Sequence, residues 1–368
     1  MVDQLDSEPP VRQAKSNSTI AFALGGLAGH NAHGAGFLQA ALDYGIKPNL
    51  ISCTSGQILW VHRYLSALDQ APNTWVGTLE DTLRQDIAAV QPFAQMDANM
   101  LRLTLEGRPG VFRIAGYEAL VDVWKNLMSA GIELMQPSSK RSLFIESSKI
   151  MPARTLIPLF SEDFFRAISD SFNTSKIAII FNSYDPRQGI EFVHLNEAAK
   201  KELRLKPGDR KVYRDRTIYK DITPEYVRDG LWLYQYGFGG DFNEIDGAYY
   251  RQILLSEVAV AGLIYVARPV NHKWIGDLPT SFVALEDMKT QVNFNGTYAG
   301  ERDKILLINK LLKERALSEQ QYHHIDLVEI EISTQPSFFD YIFEKEEVFR
   351  AARADASNAF GQIQAKAA

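Results

Sequence analysis

The chain has 368 residues, 46% hydrophobic and 23% charged, which supplies apolar material for a large core and excludes a chain too polar to fold. A formal net charge of −6, with no Lys/Arg cluster of the kind that tracks phosphates, argues against a general nucleic-acid binder. The lone Cys53 excludes an internal disulfide and a cysteine-based zinc site, and fits a reducing, cytoplasmic setting.

Residues 1–18 are polar, acidic and proline-containing, without the apolar centre of a signal peptide, and read as a disordered tail. Thr19–Leu24 is a short run of strand formers that stops at Gly25-Gly26, where a binding turn would sit. Phe37, Leu38, Ala41, Leu42 and Tyr44 then recur at helical spacing, Gly45 is placed for a left-handed cap, and Pro48 blocks continuation. Asn49–Cys53 reads as a second strand, Thr54-Ser55-Gly56 as a sharp turn, and Gln57–Asp69 as the helix leaving it. Ser55 is thereby lifted to the tip of a strand-to-helix corner, the geometry that aims a serine hydroxyl for nucleophilic attack. The signature of such a corner is Gly-x-Ser-x-Gly; here the outer positions are Cys53 and Gln57, and no strict match occurs in the chain.

Residues 71–170 read as a largely helical insert, with amphipathic helices at Thr78–Val90 and Gly116–Ser129. The second carries a stripe of Leu120, Val123, Trp124 and Leu127, read as packing against the main body in preference to a lipid-facing surface. Ile177–Asn182 is a buried-type strand, Tyr184–Gly189 a turn, and Ile190–Leu195 the return strand of a hairpin. Lys200–Arg216 reads as a basic, solvated surface loop. Tyr226–Gly240 reads as an aromatic-rich helix with a glycine-rich end. Asp246 follows a short extended piece and precedes Gly247, which presents its carboxylate at a tight turn. Further on come a helix at Tyr249–Ala261, a strand at Leu263–Ala267, helices at Val283–Asn293 and Lys304–Arg315, a strand at His324–Ile332 and a helix at Asp340–Ala354, with 351–368 as a C-terminal tail. The longest apolar run, Ile253–Val270, is interrupted by Ser256, Glu257 and Arg268, short of the roughly 20 residues a spanning helix needs. The alternation of strands and helices predicts an α/β fold in three layers, a mostly parallel sheet with helices on both faces, as one domain over 19–350.

These pieces together resemble the patatin-like phospholipase family of bacterial and plant lipid acyl hydrolases. The family carries a glycine-rich turn after its first strand, a serine elbow roughly thirty residues later, and a downstream Asp-Gly-Gly or Asp-Gly-Ala. The present chain has Gly25-Gly26-Leu27-Ala28-Gly29-His30, then Ile51-Ser52-Cys53-Thr54-Ser55-Gly56-Gln57, then Asp246-Gly247-Ala248, in that order. The resemblance implies a serine acyl hydrolase of fatty-acyl esters, phospholipid or lysophospholipid, working through a Ser–Asp dyad without cofactor or metal. Ser55 would be the nucleophile, Asp246 the base, and the backbone N–H groups of Gly25, Gly26 and Gly29 the oxyanion donors. Peripheral contact with a membrane would accompany such a substrate. The turn departs from the family's Gly-Gly-Gly-x-Arg-Gly, with Leu27 in place of the third Gly, Gly29 in the Arg slot and His30 in the last Gly slot. That motivates a second reading, a catalytically impaired relative that binds a lipid or a protein partner. A dinucleotide-binding turn is disfavoured, because Gly34-Ala35-Gly36 lacks a third Gly at the required spacing. His30 and His33 are read as structural or solvent-facing, with no carboxylate at fixed spacing to make them ligands.

Overall fold

The computed structural model describes residues 19–27, 31–70, 77–85, 112–135, 149–154, 156–158, 161–211, 214–238, 244–319, 321–333 and 341–367. The N-terminal tail and much of the insert lie outside them. The principal strands are β1 (Ile20–Leu24), β2 (Leu50–Cys53), β5 (Ala178–Asp185), β6 (Ile190–Leu195), β7 (Arg210–Lys211), β8 (Arg214–Asp221), β9 (Ile245–Asp246), β10 (Leu263–Arg268) and β11 (Asp326–Glu331), while β3 (Phe112–Ile114) and β4 (Leu156–Pro158) pair separately. They form one mixed sheet in the order β11-β10-β1-β2-β5-β6-β8-β7, with the two-residue β9 laid against β5. The five strands from β11 to β5 run parallel, and β6 turns back against β5 as the hairpin predicted there, its turn closed by Gly189 at φ 67°. The chain leaves β1 to one side for β2 and later returns to its other side for β10, so the carboxyl edge of β1 and β2 lies at a switch point, where open α/β sheets place their ligands.

The helices are α1 (Asn31–Asp43), α2 (Gln57–Leu68), α3 (Gly116–Leu134), α4 (Glu162–Thr174), α5 (Glu197–Leu203), α6 (Pro224–Gly230), α7 (Leu255–Val258), α8 (Phe282–Lys313) and α9 (Tyr341–Ala367), besides a helical run at 78–85. Alternate side chains of β1 divide the core between the two faces of the sheet. Phe22 and Leu24 join Phe37 of α1, Tyr64 of α2, Phe172 of α4 and Phe360 of α9 on one face. Ala21 and Ala23 join Ile180, Leu255, Val258, Tyr298 and Ile305 on the other. The result is the three-layer α/β arrangement read from the alternation of elements.

Several local expectations change. The basic stretch at Lys200–Arg216 keeps a loop at 204–209, but its ends are the last turn of α5 and the strands β7 and β8; β8 hides in its charges because Thr217 and Tyr219 point inward while Arg216 and Asp221 face solvent. Lys200, in α5, is neutralised by Glu197 and Asp221 rather than left free. The aromatic-rich helix beginning at Tyr226 is the short α6, starting at Pro224, followed by a single 3-10 turn at Tyr234–Tyr236. The helix expected over Tyr249–Ala261 is reduced to α7, since residues 251–254, which include the buried Arg251, are not helical. The two helices expected within 283–315 are one, α8. The tail expected from residue 351 onward is, through Ala367, the continuation of α9, whose Ala352, Ala356 and Phe360 are buried and whose Phe349 carbonyl stands 2.2 Å from where a Cβ on Gly36 would sit. Small residues on α1 let these two helices approach closely.

Candidate active site

The corner after β2 has the shape that the sequence implied. Ser55 holds φ 57°, a left-handed conformation unfavourable for a residue with a Cβ, and it is only 3% exposed. Nothing in a serine prefers this backbone; the strand behind it and the helix ahead impose it. Ile58 N–H donates to the Ser55 carbonyl and Gln57 N–H to that of Thr54, so the first turn of α2 is already tied to the corner.

Asp246 reaches the same point from the far side of the sequence. Its strand, β9, pairs with β5 so that Asp246 faces Ser183, and its own N–H donates to the carbonyl of Trp232 at 2.9 Å. The carboxylate accepts the N–H of Ala248 at 2.8 Å, and the Ser55 hydroxyl lies near enough to favour its ionised form. Beneath the following residue, Asn182 fills the space a side chain would need, 2.2 Å from where a Cβ on Gly247 would stand, and its amide donates to the carbonyl of Gly247 at 3.2 Å. Asp246 therefore needs Gly after it for a packing reason as well as a turn reason. Burial pushes the Asp246 carboxyl up to about 7, against the opposing pull of the Ser55 hydroxyl and the Ala248 N–H. A carboxylate in that range can accept a proton from a hydroxyl near neutral pH and return it to a leaving group.

The glycine turn is built differently from what its sequence implied. Gly25 N–H donates to the carbonyl of Ala267 at 3.1 Å, extending the β1–β10 ladder. Gly26 N–H donates to Thr54 Oγ1 at 2.7 Å, and Thr54 Oγ1 in turn donates to the Gln252 carbonyl at 2.5 Å. Leu27 N–H donates to Asn31 Oδ1 at 3.0 Å. Two of the three expected oxyanion donors, Gly25 and Gly26, are thus committed within the fold, and the third, Gly29, lies outside the described residues. The role of Gly26 is spatial, since a Cβ there would stand 2.4 Å from the Ser55 Cβ. The amide that follows Ser55 is uncommitted by contrast: Gly56 N–H, at the start of α2, has no acceptor among the described residues. Asn31, the first residue of α1, packs its Nδ2 against Gly56, 2.3 Å from a would-be Cβ, and so brings a second N–H donor group to the corner. The sequence reading passed over Asn31; the cue available was an Asn directly after a glycine-rich turn.

Gln57 occupies the position of the second elbow glycine, where a long side chain conflicts with the strand crossing unless it turns away. Instead it is fully buried, with Nε2 donating to the carbonyls of Asn31 at 3.0 Å and Gly25 at 3.3 Å. The room comes from α1, where a Cβ on Gly34 would lie 2.2 Å from Gln57 Oε1. A large residue at the elbow is compensated by a small one on the neighbouring helix. Gly34→Ala gains about 1 kcal/mol of helix propensity but overpacks the site by typically 1–3 kcal/mol, so a net loss is expected. A Gln57→Gly change in the same chain restores the volume, and a double-mutant cycle in urea should return a coupling of about 1 kcal/mol or more. Additive effects would refute the compensation.

Ser183 and His194 form a serine–histidine pair at 2.8 Å, and Ser183 Oγ donates to Glu244 at 2.5 Å. Both Ser183 and His194 are fully buried, and burial with the nearby Lys220 holds the imidazole well below its ordinary value. No acyl group could reach that hydroxyl; the pair ties β5 and β6 to the segment leading into Asp246. Cys53, at the outer elbow position, is buried and its thiol is pushed up by burial, which makes it inert packing. His33 is buried within α1, and His30 lies outside the described residues. Among the described residues no group of His, Cys, Asp and Glu is arranged to hold a metal ion, and no helix is long and apolar enough to cross a membrane.

No family model matches the chain, and no curated protein matches it.

Proposed function

We propose that the protein is a serine acyl hydrolase of the patatin-like kind, cleaving fatty-acyl esters of phospholipid or lysophospholipid through an acyl-Ser55 intermediate. The observation that carries this reading is the meeting of a serine on a left-handed corner with a buried carboxyl pushed up to about 7. In the first half-reaction Ser55 Oγ attacks the ester carbonyl and its proton passes to Asp246. Collapse of the tetrahedral adduct breaks the acyl–oxygen bond, and Asp246 returns the proton to the departing alcohol. Water then attacks the acyl-serine, giving its proton to Asp246, and the second collapse releases the fatty acid as the proton returns to Ser55 Oγ. Gly56 N–H and Asn31 Nδ2 are the donors proposed to face the developing oxyanion.

A second reading, a lipid- or partner-binding relative without turnover, draws its support from the commitment of the Gly25 and Gly26 amides. A fluorophosphonate probe separates the two. Stoichiometric labelling of the wild-type chain, abolished in Ser55→Ala, is expected for the hydrolase; a folded wild-type chain that takes no label would leave only the binding reading.

A further inference from the structure

Helix α3 is built inside out. At 3.6 residues per turn, Tyr117, Leu120, Trp124, Met128, Ile132 and Met135 fall on one side of it, and among the described residues nothing covers this side, with Trp124 65% and Met135 87% exposed. The side turned inward carries the small and polar residues. Ala130 is buried, Asn126 Nδ2 donates to the carbonyl of Ile150 at 3.5 Å, and Glu133 pairs with Lys149 at 3.2 Å. The stripe expected to pack against the main body thus points the other way, apart from the half-buried Val123. It runs about 27 Å at 1.5 Å per residue, larger than the scattered apolar residues of an ordinary surface.

What it faces can be argued from continuity and charge. The segment that α3 rests on continues into Arg154, which packs against Gly237, and into Leu156, which clusters with Leu233, Tyr236 and Trp232. The Trp232 carbonyl is the acceptor that fixes Asp246, and Tyr249, three residues past Asp246, hydrogen-bonds Gln235 at 3.3 Å and meets the ring of Tyr234 at 4.9 Å. Tyr234, Phe238 and Tyr249 are themselves exposed apolar rings. The stripe and this collar therefore belong to one connected part of the molecule, the part that holds the proposed base. The charged residues of α3 are Glu118, Asp122 and Glu133 against Lys125, a net of −2 that offers no cationic margin for an anionic surface and sets like charges together in a symmetric pair of copies. Trp and Tyr interleaved with Leu, Ile and Met is the composition that settles at a lipid–water boundary.

We infer that α3 docks on a zwitterionic phospholipid surface, lying in its interface with the Tyr117–Met135 stripe immersed, and so delivers the Ser55–Asp246 corner to acyl esters held in that surface. The inference rests on the hydrolase reading for its substrate, but docking itself needs no catalysis.

The full chain, mixed with phosphatidylcholine vesicles, should sediment with them equally at low and high salt, and Ser55→Ala should sediment just as well. Trp124→Glu and Leu120→Glu lie on the exposed stripe, so they should keep the wild-type circular dichroism and melting temperature while each weakens vesicle binding by about tenfold. Turnover of a soluble short-chain ester should be unchanged in both variants, whereas turnover of vesicle phospholipid should fall with binding. Absence of sedimentation overturns the inference, as does sedimentation that Trp124→Glu and Leu120→Glu leave intact, or a concentration-dependent dimer that these changes disperse while vesicles go unbound. A chain that hydrolyses the soluble ester but ignores vesicles loses the docking inference alone; one that binds vesicles and turns over neither substrate loses the hydrolase reading alone.

Discussion

Asp246→Asn is expected to remove hydrolysis by roughly 100- to 10,000-fold, the contribution typical of a positioned general base, while making the folded chain more stable above neutral pH. The carboxyl of Asp246 moves from an ordinary 3.8 to about 7 because folding buries it. Between those values the folded chain keeps a proton that the unfolded chain releases. The stability contributed by this group is fully present below its unfolded value and is lost as pH rises through about 7. At pH 8 the loss is on the order of 4 kcal/mol. An Asn retains the acceptor for Ala248 N–H and a donor for Ser55 Oγ without a buried charge. Urea unfolding at pH 5 and pH 8 should show the advantage of the variant widening with pH; an advantage that stays constant would mean that Asp246 is not the titrating group. In the wild-type chain, kcat/KM should climb as pH passes through about 7, as the base ionises. This is the exchange of stability for activity expected at a catalytic carboxylate.

Arg251→Met carries the largest expected loss of stability. Arg251 is 1% exposed and meets Glu191 at 2.9 Å, Glu257 at 2.7 Å and Glu301 at 2.9 Å, all three buried. Thr217 donates to Glu191, and the backbone N–H groups of Leu255 and Ser256 donate to Glu301, so the cluster fastens β8 and the start of α7 to α8. Removing the guanidinium leaves acidic groups without their counter-charge, and breaking a buried pair in this way typically costs about 3–5 kcal/mol. Because Asn182 bridges Glu191 to the carbonyl of Gly247, the same change should slow fluorophosphonate labelling at Ser55. A variant with wild-type urea midpoint at pH 7.5 would show that the cluster is indifferent to its cation.

The elements around Ser55 were legible because their signals are local. Gly45 ends α1 at φ 64° as its capping position requires, and Asp246 sits at an extended-to-turn junction before Gly247. Strand β8 and the long α8 were not, because alternating charges and scattered polar residues conceal a period that only packing resolves. The glycine turn misled for a different reason. A glycine can free an amide for a ligand or admit a neighbouring atom, and sequence alone does not say which; here Gly26 admits Ser55 and Thr54.

Residue order by itself determined the alternation of strands and helices, the serine on a strand-to-helix corner and the aspartate at a tight turn, since each follows from apolar period and turn chemistry within a few residues. Tertiary structure alone decided that Asp246 comes beside Ser55, that Gly34 makes room for Gln57, that the Gly25 and Gly26 amides are consumed, and that the stripe of α3 faces outward. Those outcomes depend on which groups distant in the chain compete for the same space and the same hydrogen bonds, and that competition exists only once the sheet has brought its carboxyl edge together.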